Sequence, residues 1–158
     1  MAHPIVALDP RTRPPRIRRL DRRQAEYILA RNCIARIAFL NNESIELQPV
    51  HYVYRDGAMF GRIALGAKYL SWLVVRDVVV EVDESTSLFD WRSVVLRGSI
   101  SLLRPQGSPA EHAAYEAATA AIRTLIPDAF TERDPTPYRS FVFRVDPKEI
   151  TAREATTR

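Results

Sequence analysis

The sequence predicts a mainly β protein, a small closed or partly closed barrel of six or seven antiparallel strands with three peripheral helices. Two observations carry that expectation. Runs rich in β-branched and aromatic residues, such as Ile34–Leu40, Ala58–Ile63, Val78–Asp83 and Phe141–Val145, are separated by turn signals. Helical periodicity is confined to three stretches, and helices at both ends of the strand series argue against a parallel doubly wound sheet. A length of 158 residues, with 46% hydrophobic and 27% charged residues, suits one domain with a real core.

Each element follows from local chemistry. Residues 1–19 contain Pro4, Pro10, Pro14 and Pro15 and read as an irregular arm, which leaves 20–158 as the single folded domain. Asp21 is placed to cap a helix, with Gln24 in the capping-box position, and Ala25, Ile28, Leu29 and Cys33 recur at helical spacing. Ile34–Leu40 reads as a strand ending at an Asn41-Asn42 turn, and Ser44–Tyr54 as its return partner. Pro49 within that partner places it at an edge or a bulge. Asp56-Gly57 turns the chain into Ala58–Ile63. Gly66-Ala-Lys68 opens a short helix, Tyr69–Val75, with Leu70, Leu73 and Val74 on one side.

Val78–Asp83 is almost wholly apolar and reads as a strand buried on both faces. Glu84–Asp90 is a polar connection, and Trp91–Arg104 a long strand in which Gly98 marks a bend or bulge. Pro109 opens the Ala-rich helix Ala110–Leu125, which Pro127 ends. Residues 127–137 hold three prolines and read as a loop. The chain closes with a strand, Ser140–Val145, and a short one around Glu149–Arg153.

The charge distribution narrows the function classes. Residues 11–23 hold seven arginines and one aspartate, a local +6 against +4 for the whole chain. The basicity therefore belongs to the arm, and no aromatic-plus-basic stripe follows in the body, which disfavours nucleic acid as the partner. No apolar run is long enough for a membrane span, and the N-terminus lacks a signal-peptide pattern, so a cytoplasmic protein is expected. Cys33 is the only cysteine and reads as core filling. His3, His51 and His112 are too dispersed for a zinc site, and no Gly-x-Gly-x-x-Gly, Walker loop or Gly-x-Ser-x-Gly elbow is present. Glu81 and Asp83 end a strand, with no partner that would make an acid–base pair. The catalytic residues are unassigned, with His51 as a candidate whose imidazole reads more readily as a satisfied barrel histidine.

One constellation carries chemistry. Lys68, one of only two lysines, and backbone N–H groups gather at one helix N-terminus behind Gly66, a natural seat for a phosphate. Around it stand Arg36-Ile-Ala-Phe39, Gln48-Pro-Val-His-Tyr-Val-Tyr54, Met59-Phe-Gly-Arg62, Val80-Glu-Val-Asp83, Asp90-Trp-Arg-Ser-Val-Val-Leu-Arg-Gly98 and the closing Phe141-Val-Phe-Arg-Val-Asp146 with Ile150-Thr-Ala-Arg153. In order and spacing these segments resemble the FMN-binding split-barrel superfamily related to pyridoxamine 5′-phosphate oxidase, and most of all its nitroimidazole-resistance-protein-like branch, over residues 20–154.

The resemblance implies a Greek-key split barrel of the FMN-binding type, and a homodimer with FMN at the subunit interface. Phe60, Gly61, Arg62, Ala64, Gly66 and Lys68 would hold the phosphate, with Arg62 and Lys68 as its charged ligands. Pro49, Val50 and His51 would lie along the flavin ring, and Trp91, Arg92 and Ser93 would complete the site, some from the other subunit. Relatives carry Ser or Thr at the position of Ala64, so one phosphate hydrogen bond is missing here. The implied activity is an FMN-dependent oxidoreductase, with NAD(P)H reducing the flavin and a small planar acceptor, nitroaromatic or quinone-like, taking the electrons. The substrate-binding Arg/His pattern of true pyridoxamine phosphate oxidation is absent from Arg144–Arg158. A deazaflavin-dependent reductase on the same fold, and a non-catalytic flavin- or haem-binding dimeric module, are the alternatives.

Overall fold

The computed structural model describes residues 14–157. The chain runs β1 (Arg16–Leu20), α1 (Arg22–Arg31), β2 (Ile34–Asn41), β3 (Ser44–His51), β4 (Val53–Arg55), β5 (Ala58–Ile63), α2 (Ala67–Val74), β6 (Asp77–Ser87), β7 (Asp90–Leu103), α3 (Pro109–Leu125) and β8 (Phe141–Thr156). Every pairing is antiparallel, in the order β3-β2-β6-β7-β8-β5-β4, with β1 added to β8. The two ends of this path, β3 and β4, are joined through Tyr52 alone, whose N–H donates to the Cys33 carbonyl at 2.9 Å. The sheet therefore curls into the expected antiparallel split barrel. Where it closes, a Cβ on Gly61 would stand 2.6 Å from the His51 carbonyl and 2.4 Å from the Phe143 ring, so only glycine lets β5 pass there.

Local signals set the helices. Asp21 accepts from the Gln24 N–H at 2.8 Å while Gln24 reaches back to the Asp21 N–H, and Ser108 with Glu111 repeats the device on α3 behind Pro109. The barrel interior packs Ile37, Val80, Leu96, Ile100 and Phe143. Trp72 of α2 enters this core edge-on against Phe39 and Phe143, at 5.7 and 5.3 Å between centroids. α3 lays Ala118, Ala121 and Ile122 over Phe60 and Val142 on the outside of the barrel.

Several elements differ from expectation. The arm read over 1–19 lies outside the described residues as far as residue 13, and its end is strand β1. The outer stretch of β8 would otherwise leave a row of unpaired N–H and C=O groups, and Arg18 closes onto Glu154 at 2.6 Å across the new ladder. The two closing strands are one, β8. A bulge opposite Arg97 and Gly98 leaves Lys148 without a ladder partner beside Pro147, whose missing N–H is tolerated there, and a Cβ on Gly98 would meet the Asp146 carbonyl at 2.4 Å. The return partner Ser44–Tyr54 breaks at Tyr52, where the barrel turns its corner, and β3 is an edge strand as Pro49 requires.

The first hairpin turns at Asn42-Glu43, one residue later than expected, with Asn42 at φ 55°. β6 is buried on one face only, since Val79 stands outward, and it runs on to Ser87 where a polar connection was expected. α2 turns Trp72 rather than its leucines into the core, because an indole covers more apolar area from one position. Leu70, Leu73 and Val74 are left exposed. Cys33 is exposed too, because it follows the C-cap Asn32, before β2 begins to alternate.

The connection from α3 to β8 is pinned by one carboxylate. Asp134 accepts the N–H groups of Phe130 and Thr136 at 2.7 and 2.8 Å and receives both terminal nitrogens of Arg62 from β5, one at 2.8 Å. Thr136 Oγ1 accepts a further Arg62 bond at 2.9 Å, and the two charged side chains are only 4% and 2% exposed. The Arg62 guanidinium, helped by the two backbone donors, holds the Asp134 carboxyl far below the usual carboxylate range.

A depressed carboxylate contributes stability above its unfolded pKa, about 3.9, that is lost as pH falls below it. Wild type is therefore expected to lose thermal stability steeply as pH drops from about 4. Asp134→Asn, less stable at neutral pH, should show a shallower acid limb in the same melting series. Trp72→Ala should cost about 3–5 kcal/mol in denaturant unfolding. Trp72→Phe should cost less than about 1.5 kcal/mol, because the indole N–H it removes is buried without a partner.

Candidate functional site

Where β3, the β5–α2 turn and the pinned loop meet, they enclose a pocket of about 280 Å³ lined by Gln48, Pro49, Val50, Arg62–Gly66, Lys68, Tyr138 and Arg139. Each wall has a local cause. Pro49 and Val50 end the edge strand β3, whose outer rim is unpaired. Ala64 to Gly66 is the tight crossing that lets α2 start beside the strand it left. Gly66 is extended (φ 163°), a conformation any residue adopts, and open space surrounds the place of its absent Cβ. As N-cap it offers no side chain, so no side-chain oxygen competes for the first-turn N–H groups of α2.

The electrostatics of the pocket are one-sided. Lys68 is half-buried and, among the described residues, makes no hydrogen bond or ion pair. Burial, and then the like charge of Arg139, push its amine down from the usual lysine value. Arg139 meets no carboxylate among the described residues. Its Nη1 lies 3.3 Å from His51 Nδ1, and its guanidinium lies 5.9 Å from the Tyr138 ring. Arginine can only donate, so Nδ1 of His51 accepts and the imidazole carries its proton on Nε2. Arg62 also lines the pocket, but its charge is matched by Asp134. Two unmatched cations beside an uncapped helix start form a seat for a phosphate-like anion.

The expected site residues divide into three groups. Pro49, Val50, Arg62, Ala64, Gly66 and Lys68 come together in this pocket, with His51 at its rim. Phe60 does not: its ring lies under α3, with the Arg144 guanidinium 5.6 Å away. Gly61 serves the barrel closure. Trp91, Arg92 and Ser93 sit at the far end of the β7–β8 ladder, since Trp91 pairs with Ala155 whereas Leu103 pairs with Val142, the partner of Arg62. There Ser93 Oγ donates to Glu81 at 3.0 Å, and Arg92 holds Glu154 at 3.1 Å in the mouth of the barrel. Glu81 and Asp83, expected to end a strand, lie within β6, which runs on to Ser87, and both are ion-paired with Arg36 on the outer sheet face.

Sequence reasoning missed Gln48, Asp134, Tyr138 and Arg139. Nothing local marks Arg139, one of 21 arginines by composition, as a neighbour of a lysine seventy residues earlier. Among the described residues no cluster of His, Cys, Asp and Glu is placed to hold a metal ion, and no helix is long and apolar enough to cross a membrane.

Comparison with solved structures shows the same fold in several proteins. A FAD-binding protein from Mesorhizobium loti is 22% identical, with a TM-score of 0.72 over 89% of this chain and 99% of its own. A 5-nitroimidazole antibiotic resistance protein from Bacteroides thetaiotaomicron is 15% identical, with a TM-score of 0.66 over 90% and 89%. The haem storage protein HutZ from Vibrio cholerae is 10% identical, with a TM-score of 0.64 over 82% and 92%. No curated protein matches the chain in sequence. A family model, however, matches residues 21–154, nearly the whole described domain, and on that match the chain belongs to the pyridoxamine 5′-phosphate oxidase family.

Proposed function

We propose that the protein is a cytoplasmic, homodimeric flavoprotein that binds FMN by its phosphate in the Lys68 pocket and works as an oxidoreductase on a small planar acceptor. The observation that carries this reading is the pair of cations, Lys68 and Arg139, that share one pocket without a carboxylate among the described residues. A flavin-binding relative of the same fold and the family match support the choice of flavin over a bare phosphate.

The residues fit the group. The pocket, at the small end of ligand sites, has room for a phosphate and the start of a ribityl chain but not for a tricyclic ring. The ring would then run out along Pro49–His51, over a rim that a single chain leaves open. A second copy would cover it and bring Trp91, Arg92 and Ser93, which one chain keeps apart from Lys68. Leu65, Leu70 and Val74, exposed around the same turn, would be buried by that contact.

Bound flavin supplies two-electron chemistry between NAD(P)H and an acceptor such as a nitroaromatic or quinone. The chain's part is to hold and orient. Lys68 and the α2 amides take the phosphate, the β3 backbone sets the ring's edge, and His51 presents Nε2–H at the rim.

Purified protein should be yellow with the two visible bands of a flavin. A Soret band would instead indicate haem, and a protein that stays colourless after addition of FMN would end the flavin reading. Lys68→Ala should weaken FMN binding about tenfold or more in a fluorescence titration, as expected for a lost hydrogen bond to a charged group. Its deficit should shrink as pH rises toward the lysine's own titration, which lies below the usual value of about 10.4. Ala64→Ser restores a hydroxyl at the phosphate and should tighten FMN several-fold, about 0.5–1.5 kcal/mol.

A further inference from the structure

We infer that Arg139 is the second cation on the phosphate, and that Arg62, buried against Asp134, is a positioning residue that presents it. The inference rests on the flavin reading above for its ligand, but not for its geometry. Arg62 is poorly suited to be the ligand itself. One terminal nitrogen bonds Asp134, and the other bonds both Asp134 and Thr136, so three of its five N–H donors, and its charge, are already committed within the protein. Phe130 lies against the guanidinium, 5.1 Å from ring centroid to Cζ. With the partner carboxylate equally buried, the pair presents no net charge to the pocket.

The pair instead fixes a path. Asp134 takes the N–H of Thr136, and the Thr136 carbonyl takes the N–H of Arg139 at 3.0 Å. An unbroken line of hydrogen bonds thus runs from β5 to the residue whose guanidinium faces Lys68. Upstream, Phe130 stands at φ 64°, in the left-handed region, with its N–H on the same carboxylate. A non-glycine residue keeps that conformation only where its surroundings over-determine it, and such positions cluster at functional sites. Arg139, by contrast, keeps its charge: its other contacts are an imidazole nitrogen and an aromatic face. Two like charges held in one small pocket repel, and an anion between them removes the repulsion. A guanidinium fork also supplies the paired donors that Ala64 cannot.

The direct alternative is that Arg62 Nε, buried with no protein partner, is itself the phosphate donor. Titration of FMN against riboflavin separates the two, because only FMN carries the phosphate. Wild type, Arg139→Ala, the doubly neutral R62M/D134L and the triple variant are compared. The double replacement removes both buried charges together, which a fold tolerates better than an unpaired one.

Arg139→Ala should cut the preference for FMN over riboflavin about tenfold or more. R62M/D134L should cut it to the same extent, and the triple variant no further. An unchanged preference in Arg139→Ala overturns the inference. So does a double variant that retains the wild-type preference, or a triple variant that loses more than Arg139→Ala alone, which would make Arg62 a ligand. If R62M/D134L does not fold, Arg62→Lys replaces it, and an additional loss of preference in the Arg139→Ala background overturns the inference in the same way.

A melting series with inorganic phosphate against chloride at equal ionic strength keeps the flavin reading separate. If neither flavin binds but phosphate stabilises wild type and not Arg139→Ala, the anion seat stands and only the flavin falls. If phosphate stabilises neither protein and FMN does not bind, both ideas fall.

Discussion

The buried ion pair between Arg62 and Asp134 is the interaction on which the rest of this structure depends. It joins the β5 strand of the barrel to an otherwise irregular connection. It works beside an apolar anchor, since Ile126, Ala129 and Phe130 of the same connection pack against the cluster under α3. Removing one partner would leave an unpaired charge in an apolar setting, which is far costlier than losing both. The carboxylate is shared between a guanidinium and two backbone N–H groups, so one side chain sets the path of the loop as well as neutralising the arginine. The pocket beside it inherits its shape from that arrangement.

The barrel supplies the fixed frame. β7 and β8 form its longest ladder, and the bulge opposite Gly98 lets β8 turn from the outer sheet toward β5 without losing its pairing. The close approach at Gly61 brings the end of β3 against β5, which is why Pro49, Val50 and His51 stand at the rim of a pocket opened by Ala64 and Lys68. Strand ends are good places for such a site. The paired strands behind them give a rigid support, and the last residues of each strand are free to face a ligand.

The arginine-rich segment has a structural role that its charge alone conceals. Arg18 pairs with Glu154 across the β1–β8 ladder, and Arg22 pairs with Glu26 at 2.8 Å along α1. Part of the local excess of positive charge is therefore matched within the fold, which weakens a polyanion-binding reading further. Lys68 and Arg139, which share a recess without a carboxylate among the described residues, lie far away in sequence from that segment.

What the amino-acid sequence determined by itself was mostly local or periodic. The capping boxes at Asp21 and Ser108, the Asp56-Gly57 turn, the edge position demanded by Pro49, the bulge at Gly98 and the helix start behind Gly66 that carries Lys68 all arise from a few adjacent residues. They need no knowledge of distant partners. The ordered motifs likewise made the family legible. Three things were decided only in the tertiary structure, each because it pairs residues far apart in the chain. β1 became a strand because β8 offered it an open edge. Trp72 displaced its leucine neighbours from the core because Phe39 and Phe143 left an edge-shaped gap. Arg62 gained a buried carboxylate seventy-two residues away, and that contact carried Arg139, rather than Arg62, to the side of Lys68 with its charge unmatched.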